Sequence, residues 1–481
     1  MRNVTKNIFL NSIVCPSLGW LMRHDQVKQT PTIGERFRME QGMEIERRAR
    51  EIYPEGVLID EKDPVSAIEM TKRIIADKST PVIFSAFFII DNFTTKSDIL
   101  IRKDNDSWHM MEVKSSTNDK PEFIDDMAYT TMVMNRFGLN VSRISLLLVS
   151  KDFRLGMQNK DLFKEIDHTK EVFEKVEGFM PLWEKVDEAT SHTIKPESNL
   201  VFECKNCIIF KECLGSGIEN HIFDIPRLRG PKFKQLIDLD IVKIEDIPPS
   251  FPLTEIQSIV KTCVQRNAPF IGEELEAKIQ SINWPAYYLD FETINPAIPL
   301  YPDIAPYTNI PTQFSIHQCS EPGKIVKHAQ YLADPSKDCR RKLAEQLIHE
   351  LEGKSSIIVY SNFEKIRINE LIIEFPDLSD ELNSLIERLV NLQLIIQRNF
   401  YHPGFHGSTS VKNVAPVLIP DISYDELEIS DGSSAMAVFV YLAYNRYDEP
   451  DIEVMKENLR KYCELDSLSL VGIHQKICEY L

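Results

Sequence analysis

Asp290 and Glu292 flank Phe291 at the end of an apolar run, so a strand would aim both carboxylates to one side and the phenyl ring to the other. A second apolar run, Ile357-Ile358-Val359-Tyr360, leads to Glu364, and Tyr462 and Asp466 stand one helical turn apart near the C-terminus. Acids at the mouth of a buried strand are costly unless paired or metal-bound. Earlier in the chain, Glu112 and Lys114 bracket Val113 with the same period of two, and Asp98 precedes them on what reads as the other arm of a hairpin. Two adjacent carboxylates hold a hard divalent cation such as Mg²⁺ or Mn²⁺, and a neighbouring ammonium orients or activates water, which is the chemistry of phosphodiester hydrolysis.

Cysteines form a third set. Cys204, Cys207 and Cys213 are clustered, and Cys15 lies near the start of the chain. Four thiolates gathered at one point would staple the two ends of the intervening segment, and a tetrahedral sulfur site suits either zinc or an iron–sulfur cluster.

The elements that must position these groups are α/β in pattern. Gly42 to Ile52 reads as a helix with Met43, Ile45, Ala49 and Ile52 on a common face, followed by strands at Val82–Ile90, Ser97–Arg102, Trp108–Ser115 and Ile144–Val149, with a helix at Asp126–Phe137 before the last. Between about 216 and 284 the prolines Pro226, Pro231, Pro248, Pro249 and Pro252 break the chain into short helical pieces. Within this stretch Leu236–Ile247 looks like a helix-hairpin-helix element in which Asp240 replaces the turn glycine. A second α/β segment has strands Ala286–Phe291, Gln313–Gln318 and Ser356–Tyr360, a helix at Cys339–Leu351, and a terminal helix from about Asp451, with Asp451 as N-cap. The expected domains are therefore 1–215, a connector 216–284, and 285–481.

Composition bounds the rest. The chain has 481 residues, 43% of them hydrophobic and 27% charged, as in an ordinary globular protein of two medium domains. Nine scattered cysteines, an odd number, argue against a secreted disulfide framework and for a reducing cytoplasm. The longest apolar stretch, 81–90, is too short to cross a bilayer. Residues 8–15 superficially resemble an export signal, but Asn11 and Ser12 interrupt the apolar run. A formal net charge of −18 repels polyanions at long range, so contact with nucleic acid must come from local surface such as Arg227, Arg229, Lys232 and Lys234.

The helix with Gly42 and Glu46, the Ser-Asp at 97–98, the Glu-x-Lys at 112–114 and the cysteine-flanked boundary together resemble PD-(D/E)XK nucleases of the RecB-like, iron–sulfur type. The resemblance implies a restriction-endonuclease-like α/β fold with Asp98 and Glu112 as metal ligands, Glu46 in the place of a metal-binding histidine, and Lys114 as the catalytic lysine. It favours a 4Fe-4S cluster on Cys15, Cys204, Cys207 and Cys213 over zinc. Relatives carry glutamine on the following helix, where this chain has Thr130.

Asp290, Glu292, Glu364, Tyr462 and Asp466 resemble, in order, the motifs of DnaQ-like DEDD exonucleases on an RNase H-like α/β fold. That resemblance implies Asp290, Glu292, Glu364 and Asp466 as ligands of two divalent cations, Tyr462 as the residue that orients water, and 3′ to 5′ polarity. Glu364 replaces the more usual aspartate. His317 and the loop containing Gly407, Ser408 and Lys412 resemble segments of a prokaryotic two-nuclease family in which the RecB-like domain precedes the RNase H-like one. The implied partner is DNA or RNA, at ends or in single strands, with no membrane. The rival expectation is an end-binding clamp or scaffold of a repair or defence complex with one or both sites inactive.

Overall fold

Two mixed β-sheets, each flanked by helices, organise the computed structural model, which describes residues 1–28, 30–424 and 427–481. The chain divides into one unit of Met1–Leu214 with Pro296–Thr308, and another of Gly215–Asn295 with Asn309–Leu481. Residues 216–284, expected as a connector, thus group with the second unit, and the short excursion 296–308 with the first.

The first unit runs α1 (Lys6–Val14), α2 (Pro16–Arg23), α3 (Ile33–Arg50), β1 (Val57–Leu58), α4 (Pro64–Ala76), β2 (Val82–Ile90), β3 (Phe93–Arg102), β4 (Trp108–Lys114), α5 (Pro121–Phe137), β5 (Val141–Val149), β6 (Phe163–Asp167), α6 (Thr169–Phe179) and α7 (Trp183–Ser191). Its six strands lie in chain order; β2–β3–β4 form an antiparallel meander and β5 returns parallel to β4 after α5. Strand periodicity feeds two cores. Ile83, Leu100, Met110 and Leu146 pack with α1 and α5 on one face, while Phe84, Ile99, Met111, Val113 and Leu147 pack with Ile45 and Ala49 of α3 on the other. A sheet covered on both faces explains why β2 is nearly continuously apolar. α3 begins nine residues before the expected start at Gly42, at a capping box of Thr32 and Glu35. Met43 does not share its buried face: it is 60% exposed.

The second unit contains α8 (Pro231–Asp238), α9 (Glu255–Arg266), β7 (Phe270–Ile271), α10 (Leu275–Gln280), β8 (Ala286–Ile294), β9 (Ile310–Cys319), β10 (Ile325–Leu332), α11 (Arg340–Glu350), β11 (Ile357–Val359), α12 (Phe363–Glu374), α13 (Ser379–Glu387), β12 (Leu389–Asn391), α14 (Leu392–Asn399), β13 (Phe400–Tyr401), α15 (Val411–Leu418), α16 (Gly432–Ala443) and α17 (Glu449–Cys478). The main sheet has the order β10-β9-β8-β11-β12, antiparallel across β10–β9–β8 and parallel from β8 onward. Leu289, Phe291, Phe314, Ile316, Ile357 and Val359 face a core with α11, α12 and α13. The opposite face, which carries Asp290 and Glu292, packs against α16 and α17.

Two local expectations need correction. The helix-hairpin-helix reading of 236–247 is only half present: α8 ends at Asp238, Asp240 does adopt the left-handed backbone that a turn glycine would supply (φ 57°), and a single 3₁₀ turn at Ile244–Asp246 stands where a second helix was expected. α17 is capped by Asp448 rather than Asp451, because Pro450, which lacks an amide hydrogen, is accommodated inside the first turn.

Candidate functional site

The acids of the second unit converge. β8 delivers Asp290 and Glu292, and one turn of α17 delivers Tyr462 and Asp466, so that Asp290, Glu292 and Asp466 each place a carboxylate oxygen within 4.8 Å of the others. Glu364 sits in the first turn of α12, immediately beyond β11; it is 3% exposed and its Oε2 has no hydrogen-bond partner. Parallel pairing of β8 and β11 brings it close enough to raise the carboxyls of both Asp290 and Glu292.

Burial, followed by mutual repulsion, drives the electrostatics. Asp290 and Glu292 are held well above the carboxylate range by desolvation and then by the charge of Asp466. Desolvation pushes Glu364 up to about 7. Asp466 rises to about 6, burial outweighing hydrogen bonds from Tyr424 and Tyr462 and the charge of Lys412. Carboxylates crowded in this way gain most from a cation that neutralises them together.

A cavity of about 520 Å³ opens over these groups, lined by Asp290, Tyr360, Lys412, Tyr424, Tyr462 and Asp466 among others. Tyr424 was missed by sequence reasoning. Its hydroxyl donates to Asp466 Oδ1 at 2.5 Å and contacts Ser469 Oγ at 3.2 Å, and a lone tyrosine in a polar loop carries no signal that would single it out. Asp431, which caps α16 through Ser433 and Ser434, also adds its charge to the field at Glu292. In the loop that contains Gly407, Ser408 and Lys412, Lys412 reaches the cavity, while Gly407 N–H donates to Tyr401 Oη at 2.9 Å.

In the first unit the β3–β4 ladder runs from Arg102↔Trp108 to Ile99↔Met111 and then opens. There the Val113 N–H donates to Asp98 Oδ2 at 2.8 Å, the carboxylate taking the place of a strand carbonyl. Glu112 and Lys114 share a face as expected, with Lys114 Nζ 2.8 Å from Glu112 Oε1 and Val113 in the core. Two further residues join them: Lys6 from α1 lies 3.1 Å from Glu112, and Asp126 from α5 lies 2.6 Å from Lys114 and 3.2 Å from Lys6. Burial raises Glu112, but Lys114 and Lys6 outweigh it and bring it to about 2. Asp98 is raised well above its usual range by burial and then by Glu112 and Glu46, and Glu46 is raised chiefly by its own burial. Glu46, Asp98 and Glu112 thus feel one another, although among the described residues they do not form a close trio like that of the second unit. Thr130 does not face this site. It is buried against Thr95, with the hydroxyls 3.1 Å apart, and Asp126, one turn earlier, is the α5 residue that faces the lysines.

The cysteines are free thiols, and Cys204 is raised by burial and then by the charges of Cys15, Cys207 and Cys213. Cys213 Sγ contacts Ser198 Oγ at 3.3 Å, and Ser198 in turn bonds Ser17, two residues after Cys15. Arg23 of α2, 1% exposed, bonds Asp187 at 2.8 Å and Thr190 at 2.8 Å, and Trp20 Nε1 donates to the His192 carbonyl at 2.7 Å. The N-terminal helices are therefore tied to the segment that leads into Cys204. In the basic stretch beyond it, Lys234 is paired with Asp238 at 2.7 Å.

Residues 287–410 match the family model of a domain of unknown function, DUF2779. The matched segment contains Asp290, Glu292, His317 and Glu364 but stops short of Tyr462 and Asp466. The chain is also similar to the uncharacterized protein MG366 homolog of Mycoplasma pneumoniae, at 23% identity over 254 residues, 49% of this chain and 38% of that protein. A second relative is the uncharacterized protein MG366 of Mycoplasma genitalium, at 23% identity over 223 residues, 42% of this chain and 33% of that protein. The matches thus span 38% and 33% of these relatives' own length. Among the described residues, no helix is long and apolar enough to cross a membrane.

Proposed function

We propose that the chain is a metal-dependent nuclease in which the second unit, RNase H-like and of the DEDD exonuclease type, hydrolyses phosphodiester bonds of DNA or RNA, with 3′ to 5′ polarity. The single observation that carries this reading is the convergence of Asp290, Glu292 and Asp466 within 4.8 Å, with buried Glu364 in electrostatic range. Divalent cations such as Mg²⁺ or Mn²⁺, bound by these four carboxylates, would supply the Lewis acidity the reaction needs. Tyr462 and Tyr424 hydrogen-bond Asp466 and fix its orientation. Lys412, at the cavity wall, offers a positive charge to a substrate phosphate. The acids that line the cavity would repel a phosphodiester until cations neutralise them.

The first unit, in this proposal, is PD-(D/E)XK-like, with Glu46, Asp98 and Glu112 as ligands and Lys114 as the catalytic lysine. Its antiparallel meander followed by a helix and a parallel strand is compatible with that fold. A structural 4Fe-4S cluster on the four thiols is part of this proposal, supported by the hydrogen bonds of Trp20, Arg23 and Ser198 that tie α2 to the segment leading into Cys204; among the described residues the four sulfurs do not form a close group. A specific observation also favours a second reading of this unit, as an end-binding clamp. Glu112 is engaged by two ammonium groups, Lys6 and Lys114, so a cation must compete with both.

The test is digestion of end-labelled single-stranded and duplex DNA and RNA by the purified full chain with Mg²⁺ or Mn²⁺. Asp290→Asn should lower the rate by roughly 10²–10³-fold, the several kcal/mol associated with metal-ion catalysis. Digestion that is unchanged in Asp290→Asn would remove the second unit from the reaction.

A further inference from the structure

Asp290, Glu292 and Asp466 are not the only potential ligands on that face of the second sheet. His317 of β9 and His328 of β10 are directly paired across the antiparallel ladder, so both imidazoles project to the same side, and their rings stack with centroids 4.3 Å apart at 18°. α17 lies against both strands and brings Glu464 to them. One ligand atom from each of His317, His328 and Glu464 falls within 4.8 Å of the others.

A hydroxyl stands behind each ring. Ser467 Oγ lies 2.9 Å from His317 Nδ1, Ser315 Oγ lies 2.9 Å from His328 Nε2, and the two hydroxyls are 2.7 Å apart. Each imidazole therefore has one nitrogen fixed by a hydroxyl. The remaining nitrogens are His317 Nε2 and His328 Nδ1, and His328 Nδ1 stands 3.8 Å from Glu464 Oε1. That separation is too long for a hydrogen bond. It is close to the spacing of two ligands on one ion, since atoms about 2.1 Å from a tetrahedral metal lie roughly 3.4 Å apart. An ion lies in the plane of each imidazole that binds it, so these stacked rings share one only when a ring turns about its Cβ–Cγ bond, the hydroxyls behind them then serving as outer support of the ligating nitrogens.

We infer that His317, His328 and Glu464 form a site for a borderline transition-metal dication of the Zn²⁺ class, separate from the all-oxygen site of Asp290, Glu292 and Asp466. Ligand chemistry separates the two: imidazole selects zinc, cobalt or nickel, whereas carboxylates alone suit magnesium or manganese. Glu464 is 43% exposed at its side chain and His328 24%, so solvent can complete a fourth position. The site would pin α17 to the β9–β10 hairpin. Because Glu464 lies between Tyr462 and Asp466, it would also brace the helical turn that carries them, which makes its residues positioning residues for that turn.

The experiment uses Co²⁺ as the probe. Chelator-stripped full chain is titrated in excess Mg²⁺, which occupies the all-oxygen site, and bound Co²⁺ is read by visible absorption and by elemental analysis. Wild type should bind one more equivalent than His328→Ala, and Glu464→Gln should bind that equivalent at least about 10-fold more weakly. Zn²⁺ should raise the thermal midpoint of wild type more than that of either variant. Asp290→Asn should retain the equivalent even if it abolishes digestion, so failure of this site and failure of the nuclease reading are distinguishable. Equal Co²⁺ stoichiometry and affinity in wild type and folded His328→Ala would overturn the proposal. Should His328→Ala not fold, Glu464→Gln, a partly exposed and nearly isosteric change, decides by the same comparison, and unaltered Co²⁺ binding there would overturn it equally.

Discussion

The hydroxyl of Tyr424 donates to Asp466 Oδ1 across 2.5 Å, joining the loop that precedes α16 to the turn of α17 that carries Tyr462. This bond favours the ionised form of a carboxyl that burial nonetheless holds up at about 6. Removing the hydroxyl therefore raises Asp466 further and loosens it. Tyr424→Phe should weaken Mg²⁺ activation roughly 10-fold, the scale of one hydrogen bond to a charged group, and shift the acid limb of the rate profile to higher pH. Half-saturating Mg²⁺ measured across a pH series checks both.

Lys114 bridges Glu112 at 2.8 Å and Asp126 at 2.6 Å. If the first unit cuts, the digestion that survives in an Asp290→Asn background should fall by about 10²-fold or more on Lys114→Ala, the range of a group that activates water. Single-turnover digestion by the double variant is the measurement. A rate unchanged by Lys114→Ala, with weakened retention of labelled ends in a filter-binding assay, is the outcome expected of a clamp.

Arg23 is buried with bonds to Asp187 and Thr190 and a further bond at 3.1 Å to the Arg2 carbonyl. Arg23→Ala should cost about 3 kcal/mol, since it leaves several acceptors without a donor. Urea unfolding reads this loss. Should the four thiols hold the proposed 4Fe-4S cluster, the same variant, in which the helix directly after Cys15 is loosened, should lose its brown absorption in air faster than wild type does.

His109 and His474 are buried and neutral in the folded chain, each lowered by desolvation from 6.5 to about 4. His109 bonds Ser145 at 2.8 Å, and His474 accepts from or donates to Tyr288 at 2.7 Å. Below pH 6.5 the unfolded chain takes up protons that the folded chain refuses, so stability is full above that value and falls as pH drops toward 4. His474→Gln should flatten this decline, as seen in urea midpoints measured through the same pH window.

Sequence alone carried the alternation that makes Asp290 and Glu292 partners and sends Phe291 to the opposite core, and likewise pairs Glu112 with Lys114 around Val113. It also carried the helical spacing of Tyr462 and Asp466. Such relationships are local, set by a period of two or of 3.6 residues, and survive whatever the rest of the chain does. Boundaries were less legible: α3 starts at its Thr32 cap well before its apolar stripe, and Pro450 hides inside the first turn of α17. Only the tertiary structure brought Lys6 and Asp126 to Glu112 and Lys114, Tyr424 to Asp466, and His328 to His317. These pairings depend on strand register and on which helix covers which face, and both are decided by long-range burial of apolar surface rather than by any spacing written in the chain.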